Sequence, residues 1–139
     1  MSKQNTLAIL KPDTVAAGNA GKVISVIEDS PLEIVAMRFL KLSLNQAKGF
    51  YAVHKKRPFF KDLCRFMTSG PVVVMVLQGE DAIATWRDMM GPTNSKEAPK
   101  GTIRRAFGTD IERNAVHGSD APETAAEEIG YFFPGIDLV

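Results

Sequence analysis

The stretch VVVMVL, Val72 to Leu77, is apolar at every position. A strand with one wet face alternates, whereas an unbroken apolar run fits a central strand covered on both sides. "SGP" (Ser69 to Pro71) breaks the chain just before it. The rest of the sequence must therefore supply neighbouring strands and two layers of cover.

"TLAIL" (Thr6 to Leu10) reads as a second buried strand, stopped at Lys11-Pro12 because proline cannot continue a ladder. After Pro31, "LEIVAMRFLKL" predicts a third, with Val35, Met37 and Phe39 alternating. A short fourth strand is expected around Ala115 to His117. Helical spacing falls between these runs. Gly21 to Asp29 predicts a helix with Val23, Val26 and Ile27 on one side. Ser43 is placed to cap a helix with Leu44, Ala47, Tyr51 and His54 on one face, ended by Pro58. "FFKDLCRFM" continues helically through Phe59, Leu63 and Phe66. Asp81 to Met90 is amphipathic, with Ile83, Trp86, Arg87 and Met90 on or beside its buried stripe. A last helix runs through Ala125, Ile129 and Phe132, with Pro122 in its first turn and Asp120 and Glu123 as a capping-box variant.

Gly91 to Arg113 has no sustained period and contains Gly91, Pro92, Pro99, Gly101 and Gly108, so a long loop is expected. Apolar Ile103, Phe107 and Ile111 argue that it is ordered. The order of elements predicts an α/β (α+β) sandwich of ferredoxin-like βαββαβ type. It would have a four-stranded antiparallel sheet, helices packed on it, and the long ordered loop before the last strand.

The 139 residues predict one domain spanning 1–139. Apolar residues at 45% and charged ones at 24% are those of a soluble globular protein. A net charge of +1 leaves no footprint for nucleic acid, so any basic site must be local. Cys64 is the single cysteine, which excludes an intrachain disulfide and a thiol-rich zinc site. The apolar run in "MSKQNTLAILKPD" is too short for a signal peptide or a membrane span. A cytoplasmic protein with no membrane partner is expected.

Among residues suited to chemistry, "GNAGK" (Gly18 to Lys22) has two residues between its glycines and Val23 after the lysine. A phosphate loop needs four and a Ser or Thr, so this is a turn into a helix. "NAVHGSD" (Asn114 to Asp120) gathers one of the chain's two histidines with small polar neighbours. No second His or Cys stands at metal-ligand spacing. Ser119 lacks the G-x-S-x-G elbow of a hydrolase. His117 is then either a solvated loop histidine or a nucleophile, since an unperturbed imidazole makes a neutral form available at pH 7. A nucleophile would need a partner on the opposite ring nitrogen and cations for the transferred group. Lys11, Arg87 and Arg104 are the available cations, though any of them singly fits a surface charge. Arg87, beside an apolar stripe, asks for an anion. Tyr51 and Thr93 offer hydroxyls, or packing and capping; Phe59 fits a base stack or a core position. Composition and spacing stop at an α/β domain for which phosphate handling is one reading.

"NAVHGSDAPETAAEEI" has the form N-x-x-H-G-S-D followed by a helix ending E-I, and "TLAILKPD", "RPFFKDL", "FMTSGPVV", "RDMMGPTN" and "GTIR" precede it in order. In these motifs, and over nearly its whole length, the chain resembles nucleoside diphosphate kinase. The resemblance implies a ping-pong phosphotransferase that keeps nucleoside triphosphate pools filled. His117, through Nδ1, would take the γ-phosphate of ATP or another nucleoside triphosphate and pass it to a diphosphate. It implies that Glu128 and Ser119 hold the imidazole, and that Arg87, Arg104, Thr93 and Tyr51 surround the phosphates. Lys11 and Asn114 would bind sugar hydroxyls and nearby phosphate oxygens. Phe59 would stack on the base, with Leu63 and Ile111 as apolar neighbours. Lys11 and Tyr51 count with His117, Glu128 and Ser119 in the catalytic set. Mg²⁺ would bridge the nucleotide phosphates, with no metal ligand from the protein. Stacking tolerates every base, so purine and pyrimidine, ribo and deoxy substrates are all expected.

The family assembles as hexamers or tetramers from a shared dimer, and a chain ending soon after "YFFPGIDLV" leans toward the tetramer. Two positions depart from the pattern. Ala106 stands where an aspartate is common, and Ala121-Pro122 replaces the usual Ser-Val, which should stiffen the first turn of the last helix.

Overall fold

The computed structural model describes residues 3–135. Its sheet has four strands: β1 (Lys3–Leu10), β2 (Glu33–Leu40), β3 (Val72–Glu80) and β4 (Val116–Gly118). They are ordered β2-β3-β1-β4, every pair antiparallel. The helices are α1 (Pro12–Ala16), α2 (Ala20–Glu28), α3 (Leu44–Phe50), α4 (Phe60–Met67), α5 (Ala82–Met90), α6 (Ile103–Phe107) and α7 (Pro122–Phe132). This is the expected ferredoxin-like α+β sandwich.

VVVMVL is the central element, and its alternate residues feed two cores. Val72, Val74 and Val76 join Leu7, Ile9, Ala47, Met67 and Phe132 under α3, α4 and α7. Val73, Met75 and Leu77 join Ala8, Leu10, Val23, Ile27 and Trp86 under α2 and α5. All six residues of the run are buried. At about 1.5–3 kcal/mol for each such side chain, the run contributes on the order of 10 kcal/mol of gross burial energy. That is why its uniform hydrophobicity was readable as a two-sided strand.

β2 departs from the expected alternation. Ile34 pairs with Leu77 but Ala36 pairs with Val76, so Val35 is the extra residue of a bulge. Directly paired residues share a face. Val35 therefore packs in the α3/α4/α7 core, while Met37 and Phe39, opposite Met75 and Val73, lie on the other face. They are 46% and 66% exposed, because β2 is the sheet edge and α2 does not reach over them. Arg38, one step between, donates from its guanidinium to the Phe132 carbonyl at 2.8 Å.

Helix boundaries differ in instructive ways. Ser43 and Gln46 form a full capping box, with reciprocal bonds of 3.1 and 2.8 Å. α3 nonetheless ends at Phe50, and a 3-10 turn (Ala52–His54) follows. Of the expected stripe, only Ala47 and Tyr51 are buried; Leu44 is half-exposed. α4 begins after Phe59 and buries Cys64 and Met67 rather than Phe59 and Phe66. On α2, Val23 and Ile27 are buried but Val26 faces out. The loop from Gly91 to Arg113 is ordered, as its apolar residues suggested, but it also contains a 3-10 turn (Ser95–Glu97) and α6. At the start of α7, Thr124 rather than Glu123 completes the cap: its hydroxyl accepts from the Ala121 N–H at 3.0 Å and lies 2.7 Å from Asp120 Oδ1. Among the described residues no helix is long and apolar enough to cross a membrane. The final four residues, on which the C-terminal expectation rests, lie outside the described residues.

Candidate active site

β4 is only three residues long, yet it fixes His117 opposite Ile9 of the buried β1. Just beyond it, the Ser119 N–H donates to the Leu7 carbonyl, and the Leu7 N–H donates back to Ser119 Oγ, both at 3.2 Å. Gly118 is needed for close approach: a Cβ there would lie 2.5 Å from Trp86 Cδ1 and 2.6 Å from Met90 Cε. The Trp86 indole N–H donates to the His117 carbonyl at 3.1 Å. The strand carrying the histidine is thus clamped from below by α5.

Glu128 reaches the ring from α7. Its Oε1 lies 3.0 Å from His117 Nε2 and accepts from the Ser119 hydroxyl at 2.7 Å. A carboxylate accepts only, so this contact places a proton on Nε2, and in the neutral ring the free lone pair is then that of Nδ1. The Phe50 ring stands edge-on to the imidazole at 5.6 Å. His117 keeps 20% of its side-chain surface exposed, enough for a reactant to reach it. Tyr51 lies behind, buried, with its hydroxyl unpartnered. Burial and the Glu128 charge push that phenol well above its ordinary range.

A second constellation surrounds Ala115, whose φ of +73° is a left-handed conformation uncommon outside glycine. Asp13 Oδ2 accepts from the Ala115 N–H at 3.0 Å, and the Ala115 carbonyl accepts from the Lys11 N–H and the Thr14 hydroxyl, each at 2.9 Å. Burial holds the Asp13 carboxyl above its ordinary value, opposed by the N–H groups it accepts from. This hook turns Asn114 so that its Oδ1 accepts from Lys11 Nζ at 2.8 Å. The Asn114 amide nitrogen donates to the Thr93 and Ile111 carbonyls at 3.0 and 3.1 Å.

Arg104, from α6, is equally buried. Its guanidinium donates to the carbonyls of Gly91, Val116 and Asn114 at 2.8, 2.9 and 3.3 Å. Burial, and then the charge of Arg87, lowers its pKa to about 10. Lys11 is lowered to about 8, by burial first and by Arg104 second. Arg87 itself is exposed on α5. Cations that depress one another in this way form an electropositive pocket prepared for an anion.

Beside them opens a cleft of about 360 Å³ lined by Lys11, Phe59, Leu63, Thr93, Ile111, Glu112 and Asn114. Six of these seven were expected from sequence as nucleotide-contacting residues. Phe59 and Ile111, 48% and 64% exposed, present apolar surface at its rim. Sequence reasoning missed three residues. Glu112 sits next to the singled-out Ile111. Asp13 belongs to the quoted "KPD". Trp86 was read only as core, although its indole nitrogen needed a partner. Ala106 is exposed on α6. Among the described residues, no group of three or more His, Cys, Asp or Glu is gathered to hold a metal ion.

A ferredoxin-like sandwich with a carboxylate-braced histidine and buried cations beside a largely apolar cleft fits a class: phosphotransferases that work on nucleotides. Comparison with known proteins gives the family. The nucleoside diphosphate kinase family model matches residues 4–138. A nucleoside diphosphate kinase of Desulforapulum autotrophicum is 57% identical over 136 residues, covering 98% of this chain and 99% of the relative. One from Polynucleobacter asymbioticus is 56% identical over 138 residues, covering 99% and 98%. Among solved structures, the Aquifex aeolicus nucleoside diphosphate kinase superposes with a TM-score of 0.97 at 44% identity, covering 99% of this chain and all of that one. A halophilic nucleoside diphosphate kinase from Halobacterium salinarum, in complex with CDP, gives 0.95 at 37% identity, covering 99% and 92%. The chain belongs to the nucleoside diphosphate kinase family. It is an enzyme that transfers phosphate between nucleotides.

Proposed function

We propose that the chain, as one domain over 1–139, carries the γ-phosphoryl group on His117 between two nucleotides. The observation that supports this most is the bond from Nε2 to Glu128, which makes Nδ1 the nitrogen with the free lone pair in the neutral ring. The Nδ1 lone pair attacks the γ-phosphorus of a nucleoside triphosphate. The N–P bond forms as the bond to the β,γ-bridging oxygen breaks, and the diphosphate departs with that electron pair. A second diphosphate then attacks the phosphohistidine with a terminal oxygen, and Nδ1 regains its lone pair. As positive charge builds on the ring, Glu128 stabilises it across the 3.0 Å contact, and Ser119 holds Glu128 in place.

In this reading Lys11, Arg87, Arg104, Thr93 and Tyr51 meet the phosphates. The unpartnered Tyr51 hydroxyl supports its inclusion, since a buried donor asks for an acceptor. Arg104 acts largely as a fixed field, because its three bonds go to backbone carbonyls. Lys11 and Asn114 serve the sugar, and the base lies against Phe59, Leu63 and Ile111. Such stacking accepts purines and pyrimidines, ribo and deoxy, with preferences below a hundredfold. Mg²⁺ fits as part of the nucleotide: the lining offers a single carboxylate, Glu112, and among the described residues no His, Cys, Asp or Glu group is gathered for a metal, so one held by phosphates suits it better than a protein-bound one. When bound it would neutralise charge between the β and γ phosphates.

The working form we propose is a cytoplasmic tetramer or hexamer built from one dimer, with no nucleic-acid or membrane partner. The edge strand β2, with Met37 and Phe39 turned outward, supports it as the dimer surface.

The test of the chemistry is direct. Incubation with γ-labelled ATP should leave acid-labile label on His117 that chases onto an added diphosphate. Release as free phosphate would indicate a hydrolase, and absence of label a binding module; either would overturn the reading.

A further inference from the structure

We infer that Glu112 is a specificity-determining residue, tilting an otherwise base-tolerant cleft toward guanine. The inference rests on the reading of the cleft as the nucleotide site. Glu112 is the one carboxylate among its lining residues, beside Phe59, Leu63 and Ile111 on one hand and Lys11 on the other. Its backbone is held in place. Asp110 Oδ1 accepts from the Glu112 and Arg113 N–H groups at 3.0 and 2.7 Å, and the Thr109 N–H donates to the Arg113 carbonyl at 2.7 Å. The nearest cation in sequence, Arg113, is engaged by Asp110 at 3.0 Å. The Glu112 carboxylate has no hydrogen-bond or ion-pair partner among the described residues.

A carboxylate on the wall of a cleft that receives phosphates is repulsive unless part of the ligand donates to it. Ionised, it is acceptor-only, with two oxygens. The phosphates lie with the cations and the sugar hydroxyls with Lys11 and Asn114, so the donors left for Glu112 are those of the base held at Phe59 and Ile111. Guanine alone among the common bases presents two adjacent N–H donors, N1–H and the 2-amino group, which match two carboxylate oxygens. Thymine and uracil offer one donor between two carbonyls. Glu112 is exposed, so water competes and the preference is modest: roughly threefold to tenfold, far below the discrimination of a buried polar reader.

Inosine diphosphate differs from GDP by the 2-amino group alone, which makes the pair a clean probe. With ATP as donor, kcat/KM is measured for GDP, IDP and dTDP on wild type, Glu112→Gln and Phe59→Ala. GDP should exceed IDP by threefold to tenfold on wild type. Glu112→Gln should bring that ratio close to one and change dTDP by less than twofold. Equal wild-type rates for GDP and IDP would overturn the inference. So would a Glu112→Gln effect shared by all three substrates, which would mean that the carboxylate acts only by sustaining the charge of Lys11. Phe59→Ala should weaken all three together. If it changes none of them, the nucleotide reading of the cleft fails and this inference with it; if it weakens all while Glu112→Gln leaves the GDP/IDP ratio intact, only the role of Glu112 fails.

Discussion

At one end of the cleft, Lys11 and Arg104 are each 7% exposed and tied by hydrogen bonds to Asn114 and to backbone carbonyls. At the other, Phe59 and Ile111 leave 48% and 64% of their surface to water, with Glu112 exposed beside them. The first end grows out of the sheet and the short helices locked to it. The second is carried by the boundary of α4 and by a loop. Under the proposed function the two ends do different work. Phosphate geometry is identical in every nucleotide and repays a preorganised site, whereas bases vary and require a surface that commits to little.

This contrast can be broken by experiment. The largest expected effect is at His117: His117→Ala should remove transfer while the protein still folds, and residual activity above a tenth of wild type would refute the nucleophile. Gly118→Ala comes next. The added methyl meets Trp86 and Met90 and should lower stability by about 1–3 kcal/mol in chemical denaturation, with kcat falling as the strand shifts. Unchanged stability would show that the clamp is softer than its geometry implies. Glu128→Gln keeps an acceptor but removes the charge. Phosphorylation should slow about tenfold with nucleotide affinity retained, on the scale separating a charged from a neutral hydrogen bond. Phe59→Ala, at the yielding end, should raise KM for all bases roughly tenfold and spare kcat. A kcat effect there would erase the distinction between the two ends.

The smallest effect is a pH dependence. Lys11 is lowered to about 8 in the free protein, so its positive charge is complete below that pH and lost above it. kcat/KM should therefore decline as pH rises through about 8. kcat, which reports the complex, should hold to higher pH because bound phosphate favours the charged amine. Superimposed limbs would mean that phosphate does not meet Lys11.

Periodicity made much of this fold legible. VVVMVL, apolar throughout, and TLAIL, apolar after Thr6, could be little else than covered strands, and the stripe of Ile83, Trp86 and Met90 located α5. What escaped was anything lasting fewer than two turns or depending on one residue of register. α6 is five residues long, too short for a period to emerge. Val35 reads as part of an alternation that the bulge interrupts. The site divides similarly. His117 and its partners Glu128 and Ser119 were implied by the family resemblance that the motifs carry, and the structure places Glu128 within hydrogen-bond distance of the other two. Asp13 and Glu112 did not, because a single carboxylate in a loop carries no pattern until the fold supplies its neighbours.

The bulge at Val35 also sets the phase of the strand that follows it. Were the same residues paired without the bulge, Arg38 would swing to the face where Phe39 now stands, and Phe39 would turn toward the side on which Arg38 now reaches the α7 carbonyl. How that one extra residue is accommodated thus decides whether this edge of the protein is greasy or charged. Pairing it regularly would exchange the faces of Met37, Arg38 and Phe39 while leaving the residues of the cleft where they are.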